Sequence, residues 1–173
     1  MTELQILLNA ANFIAERIKE EFVKQGHSMT QEWENNVIAE EDNDNSASVW
    51  AYGYGLVLNE GVTADRIPFG GNGTSSNTES KYILGLVRFA KLRKPGISDK
   101  QALRMAFAIA NVQKMEGMPT DNSFQYSTTT ERKGFIAVSE ILYIADLDDK
   151  VFDGLCNIVE EQASKFEQPV LIL

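Results

Sequence analysis

The sequence has a single cysteine, Cys156, and a single histidine, His27. One thiol cannot close a disulfide within the chain, and one thiol with one imidazole falls short of a four-ligand Cys/His zinc site. No oxidising compartment is therefore required. No apolar run approaches the roughly 20 residues of a membrane span. The N-terminal residues also show no basic block followed by an apolar core and a small-residue cleavage site, so the expectation is a protein made in a cytoplasm. Positive charge is short as well: 16 Lys and Arg stand against 25 Asp and Glu, a net charge of −9. That balance disfavours general affinity for nucleic-acid phosphates and favours a basic partner. What remains is globular in character, with 173 residues of which 43% are hydrophobic, too apolar for a disordered acidic tail and long enough for a sizeable core. One domain over residues 1–173 is expected, with mobile loops at 70–80 and 121–132.

Leu4, Leu7, Leu8, Ala11, Ala15, Ile18 and Phe22 recur at steps of three and four, predicting a long amphipathic helix. Thr2 is its candidate cap, and Gly26 its left-handed stop. Residues 28–36 read as a turn around Met29 and Trp33. Residues 37–42 and 47–58 read as two strands joined by an Asp/Asn/Ser turn. The second strand alternates a large face (Trp50, Tyr52, Tyr54, Leu56, Leu58) with a small one (Val49, Ala51, Gly53, Gly55, Val57), a small face that suits close approach of another backbone. Tyr82 to Ala90 fit a short helix that Pro95 and Gly96 stop. Ser98 with Gln101 forms a capping-box pattern for a second helix over 101–116, stopped at Gly117 and Pro119. Its two apolar stripes, Leu103/Ala106/Phe107/Ala110 and Met105/Ile109/Val112, predict burial on two sides. Residues 134–144 fit strand or helix equally by periodicity. A helix is expected to begin near Asp146, Asp148 and Asp149, burying Leu147, Val151, Leu155, Ile158 and Val159. The apolar end at 167–173 is read as a tail that docks within or between subunits. The fold class is thus α+β: a small antiparallel sheet, a hairpin plus a possible further strand, packed by a long N-terminal helix, a helical insertion and a C-terminal helix.

Patterns that suggest chemistry fail on inspection. The acidic run at 42–46 lacks the glycine and the bidentate glutamate of a calcium loop, having Ala47 and Gly53 there. Gly70-Gly-Asn-Gly73 is not followed by the Lys-Ser/Thr of a phosphate loop. Asn72-Gly-Thr74 matches a glycosylation acceptor but carries no weight without secretion. His27 follows the first helix, where a cation helps the helix dipole. Cys156 lies between Leu155 and Ile158 and reads as an inert thiol in an apolar stripe. No catalytic residue, cofactor or metal site is assigned, and the protein is expected not to be an enzyme. Charge is more informative. Glu32, Glu34, Glu40, Glu41, Asp42 and Asp44 crowd the hairpin, whereas Arg88, Lys91, Arg93, Lys94, Lys100 and Arg104 crowd the helical insertion. Either these are two solvated faces, or the basic region of one subunit meets the acidic region of the next and a ring closes.

A tyrosine-rich segment ending in an acidic residue and glycine, then a proline loop, resembles the head–tail connector, or tail-completion, proteins of tailed bacteriophages. Tyr52, Tyr54, Glu60, Gly61 and Pro68 carry the resemblance. Tyr82-Ile-Leu-Gly-Leu-Val, Ala106-Phe-Ala-Ile-Ala and Glu116-Gly-Met-Pro-Thr120 are similar to a helical insertion found in some versions of that family. His27-Ser-Met-Thr-Gln-Glu-Trp33 replaces the usual arginine- and threonine-rich stretch. The resemblance implies a virion subunit, assembled in the host cytoplasm into a neck ring of 6 or 12 copies between portal or adaptor and tail-tube proteins. DNA would pass through without specific binding, past an acidic wall, and no membrane would be involved. The implied interface residues are Tyr52, Gly53, Tyr54, Gly55, Glu60, Gly61, Pro68, Arg88, Lys91, Arg93, Phe107, Leu171 and Leu173. The alternative is an acidic cytosolic adaptor or inhibitor that covers a basic partner.

Overall fold

A computed structural model describes residues 2–70 and 80–166. The glycine-rich loop at 71–79 and the tail at 167–173, with Leu171 and Leu173, lie outside the described residues. The chain divides into two compact units. One holds residues up to Lys24, Thr30–Gly53 and the chain from Gly134 on; the other holds Gln25–Met29 and Tyr54–Lys133. The α+β class is as expected, mainly helical with one two-stranded antiparallel sheet.

The first unit is built on α1 (Glu3–Lys24), a hairpin of β1 (Ile38–Asn43) and β2 (Ser46–Trp50), and α5 (Phe135–Phe166). Thr2 opens α1 with a reciprocal cap: its hydroxyl accepts from the Gln5 amide at 3.2 Å, and its own amide donates to the Gln5 side chain at 2.9 Å. Together these satisfy two of the amides that a helix start leaves open. Gly26 ends the segment at φ 73°. Ile6, Ala11, Ala15, Ile18 and Phe22 are buried. The expected stripe is right from Ala11 onward, but Ile6 is the buried residue of the first turns while Leu7 stays exposed.

Helix α5 runs antiparallel to α1, with Phe135 against Phe22, Tyr143 edge-on to Phe13 and Gly154 against Ile6. The undecided segment 134–144 is therefore helix, and no further strand joins the hairpin there. Asp146, Asp148 and Asp149 sit in mid-helix rather than at a helix start. The residues facing α1 here, Phe135, Ser139 and Tyr143, are four apart. Buried Ser139 interrupts the apolar pattern, and its hydroxyl lies 2.6 Å from the Phe135 carbonyl oxygen. A hydroxyl satisfied by its own helix can be buried at little cost. The core closes on three aromatics. Phe22 and Trp33 stack at 4.2 Å, and Phe135 meets both edge-on at 5.3 and 5.5 Å.

The hairpin has the expected position, with Ala39 opposite Val49 and Ile38 opposite Trp50, and an irregularity between Glu41 and Asn43. Its second strand ends at Trp50 rather than running to residue 58.

The second unit contains α2 (Tyr54–Glu60), α3 (Lys81–Arg93) and α4 (Asp99–Glu116). Residues 54–58, expected to be strand, are helix. Over so few residues, alternating bulk and helical spacing are both satisfied. Here Gly55 is buried and Leu58 half-buried, three apart on one helical face. Ser80 caps α3, its hydroxyl accepting from the Ile83 amide at 3.2 Å. The capping box of Ser98 and Gln101 is present as expected. Antiparallel α3 and α4 meet along alanines, with Ala90, Ala102, Ala106 and Ala110 fully buried, which lets the two backbones approach closely. Ile67 and Phe69 flank exposed Pro68 and plug the end of this pair together with Ile83, while Leu103 and Phe107 pack against the cluster. The second stripe of α4, Met105, Ile109 and Val112, is half-buried, so two-sided burial is partial. Residues 121–126 form a 3-10 helix inside the expected loop.

Val62 and Met118 exchange backbone hydrogen bonds at 2.8 and 2.7 Å, tying the end of α2 to the end of α4. Gly61 and Gly117 stand beside this bridge at φ 78° and 86°. A Cβ on Gly61 would lie 2.5 Å from the Met118 carbonyl oxygen, and one on Gly117 would lie 2.4 Å from that of Val62. Only glycine combines that backbone with that approach.

Candidate functional site

Within the first unit, β1 and β2 contact α1, and the cross-strand pair Ala39/Val49 is half-buried. Because side chains alternate along a strand, the next pair, Ile38 and Trp50, projects from the opposite face. Both are exposed, Trp50 at 56% of its surface. Tyr52 follows, its ring exposed and its carbonyl oxygen accepting the Trp33 indole N–H at 3.1 Å. In the second unit, Tyr54, Leu56 and Val57 are exposed on α2. Five large apolar or aromatic side chains thus emerge between residues 50 and 57. The expectation that this segment offers contact surface is compatible with the structure, although the surface arises from a strand end and a helix rather than one small-faced strand.

The glycines of that segment differ from the expectation. A Cβ on Gly53 would meet no heavy atom within 4 Å, so within the subunit nothing approaches it closely. Gly55 is buried inside α2. Glu60 is exposed at the end of α2, Gly61 supports the Val62–Met118 bridge, and half-buried Phe107 lies 6.1 Å from Phe69 in the core of its unit.

A second surface was missed by sequence reasoning. Leu155 and Val159, expected to be buried, are exposed, and with Ile144 and Phe152 they occupy one side of α5. The side that packs on α1 carries Gly154, where a Cβ would come within 2.9 Å of Ile6. The signal was an apolar arc wider than one partner helix can cover. Alongside, the groove between α1 and α5 has a volume of about 620 Å³ and is lined by Phe13, Arg17, Glu20, Lys150 and Asp153 among others. Its charges are internally matched. Arg17 donates to Glu20 at 2.7 Å and lies 5.0 and 4.8 Å from the Phe13 and Tyr143 ring centroids, and bonding to Glu20 holds its pKa above the ordinary value.

The expected basic cluster resolves into unlike members. Lys91 is paired with Asp99 at 2.6 Å, and that bond holds the Asp99 carboxyl below the usual carboxylate range. Arg88, Lys94, Lys100 and Arg104 are exposed on the two helices. Arg93 instead lies over the Tyr126 ring at 4.4 Å. Nearby Arg132, unremarked in the sequence, donates from Nη1 to the Gln25 carbonyl oxygen at 2.7 Å. Burial, and then the positive charge of Arg93, push the Arg132 pKa down, while Tyr126 opposes the change. The Nε atoms of both arginines are sealed from solvent without an acceptor. His27, expected to be a cation at the end of α1, is instead driven toward neutrality: burial first, and then Arg132, lower its pKa to about 4.

Among the described residues, no group of three or more His, Cys, Asp or Glu is placed to hold a metal ion, and no helix is long and apolar enough to cross a membrane. Comparison with protein-family models, with curated proteins and with solved structures yields no match.

Proposed function

We propose that this chain is a structural subunit of the neck of a tailed bacteriophage, a head–tail connector that forms an oligomeric ring, joins portal to tail and extends the DNA channel. The observation that carries the reading is the exposed run Trp50, Tyr52, Tyr54, Leu56 and Val57. A soluble monomer rarely leaves so many large apolar groups uncovered in one short segment. This is also the segment whose Tyr52, Tyr54, Glu60, Gly61 and Pro68 carry the resemblance to connectors. The exposed side of α5 offers a further surface of the same kind. Opposite charges on the hairpin and on the insertion give such contacts a direction, and a net charge of −9 suits a conduit that DNA must traverse without sticking.

Native mass spectrometry of the purified protein, alone and with the portal protein encoded beside it, tests the reading. A closed species of 6 or 12 copies, formed alone or on the portal, is the expected result. A protein that remains monomeric under both conditions and instead binds a basic cytosolic partner would overturn it in favour of an adaptor.

A further inference from the structure

Two clusters of opposite sign on this chain lack counter-ions. On the hairpin, Glu40, Glu41 and Asp44 are exposed, and none forms an ion pair among the described residues. Asp42 beside them is engaged, its carboxylate accepting the Ser48 hydroxyl. In the other unit, Arg93 and Arg132 are half-buried, close enough that one lowers the pKa of the other, and neither has a carboxylate among the described residues. Partly buried guanidiniums with no anion are costly: each has lost water, and they repel each other. A carboxylate reaching their terminal nitrogens would relieve both penalties at once.

We propose that the Arg93–Tyr126–Arg132 cluster is a docking site for the acidic hairpin tip of a second copy of this chain, contacted through Glu40, Glu41 and Asp44. This rests on the ring reading above and names its contact. The hairpin suits the task, since a tight turn at Asp44 and Asn45, held by the Asn43 side chain accepting from the Asn45 amide at 2.9 Å, projects its carboxylates as one unit. Lys91 does not share the role, because Asp99 already neutralises it. Donor and acceptor surfaces differ, so the contact is head-to-tail, the kind that closes into rings.

The test uses the full chain with Arg93→Lys and Arg132→Lys, which keeps the charge and supplies amines. Unlabelled and 15N-labelled chains are mixed and treated with a zero-length carbodiimide crosslinker, and the crosslinked peptides are read by mass spectrometry. The Lys91–Asp99 pair provides an internal crosslink that shows the chemistry has worked. Expected are mixed-isotope crosslinks joining position 93 or 132 to Glu40, Glu41 or Asp44. Replacing those three carboxylates by lysine should raise the concentration for half-assembly by about tenfold or more. An oligomer that forms with only same-isotope crosslinks, or with crosslinks to other carboxylates, overturns the contact and leaves the ring standing. A chain that shows the Lys91–Asp99 crosslink yet forms no oligomer, alone or with portal, overturns both. Retention of DNA by the cluster in place of the hairpin would also overturn the contact.

Discussion

The indole N–H of Trp33 donates to the carbonyl oxygen of Tyr52 across 3.1 Å. That bond fixes the chain just beyond β2, where the exposed aromatic segment begins, to the most buried aromatic group of its unit. The indole is held by the stack on Phe22 and the edge of Phe135, so the carbonyl it grips is held in turn.

Trp33→Phe should therefore keep most of the stack and lose the bond. The expected cost is about 1 kcal/mol for the hydrogen bond, with a further contribution from lost volume. Trp33→Ala should cost about 3–5 kcal/mol. Urea unfolding followed by circular dichroism measures both, and hydrogen exchange at residues 50–53 should quicken in the Phe variant. Unchanged exchange there would show that the Tyr52 carbonyl is held by something else.

The two glycines beside the Val62–Met118 bridge give a second prediction. Gly117→Ala places a methyl against the Val62 carbonyl in a backbone region open to almost no other residue. A loss of roughly 1–3 kcal/mol for backbone strain, plus the cost of displacing the bridge, is expected. Gly53→Ala is the control: open space surrounds it, so thermal unfolding should be nearly unchanged. If Gly53→Ala nevertheless weakens oligomer formation, the close approach to that glycine comes from a neighbouring subunit.

How much of this was legible in the sequence depended on how local the deciding physics was. The stops at Gly26, Gly96 and Gly117 and the box of Ser98 with Gln101 are decided within a few residues, and all are as read. The segment 54–60 was misread because its residues have strand propensity and the alternation is real. Burial of Gly55 against its own unit, a tertiary fact, selects helix. Segment 134–144 was undecidable because buried Ser139 stands where the pattern needed an apolar residue. Exposure of Leu155 and Val159 had no local sign, since an apolar residue looks the same whether its partner lies within the chain or outside it. Arg132 gave no signal either; its interest comes from Gln25, Arg93 and Tyr126, distant in sequence and gathered by the fold.

The last prediction concerns pH. His27 has a folded-state pKa of about 4, below its ordinary 6.5, because burial and the Arg132 charge both oppose protonation. As pH falls below 6.5 the unfolded chain takes up a proton that the folded chain refuses until about pH 4. Stability from this group is therefore complete above pH 6.5 and is lost progressively between 6.5 and 4. At about 1.4 kcal/mol per pH unit, and discounted for the solvent that still reaches the ring, the loss is on the order of 2 kcal/mol. Urea midpoints measured from pH 7.5 to 4 should decline over that window, and His27→Gln, which cannot take up the proton, should flatten the decline. A His27→Gln profile parallel to the wild type would assign the acid sensitivity to the carboxylates instead.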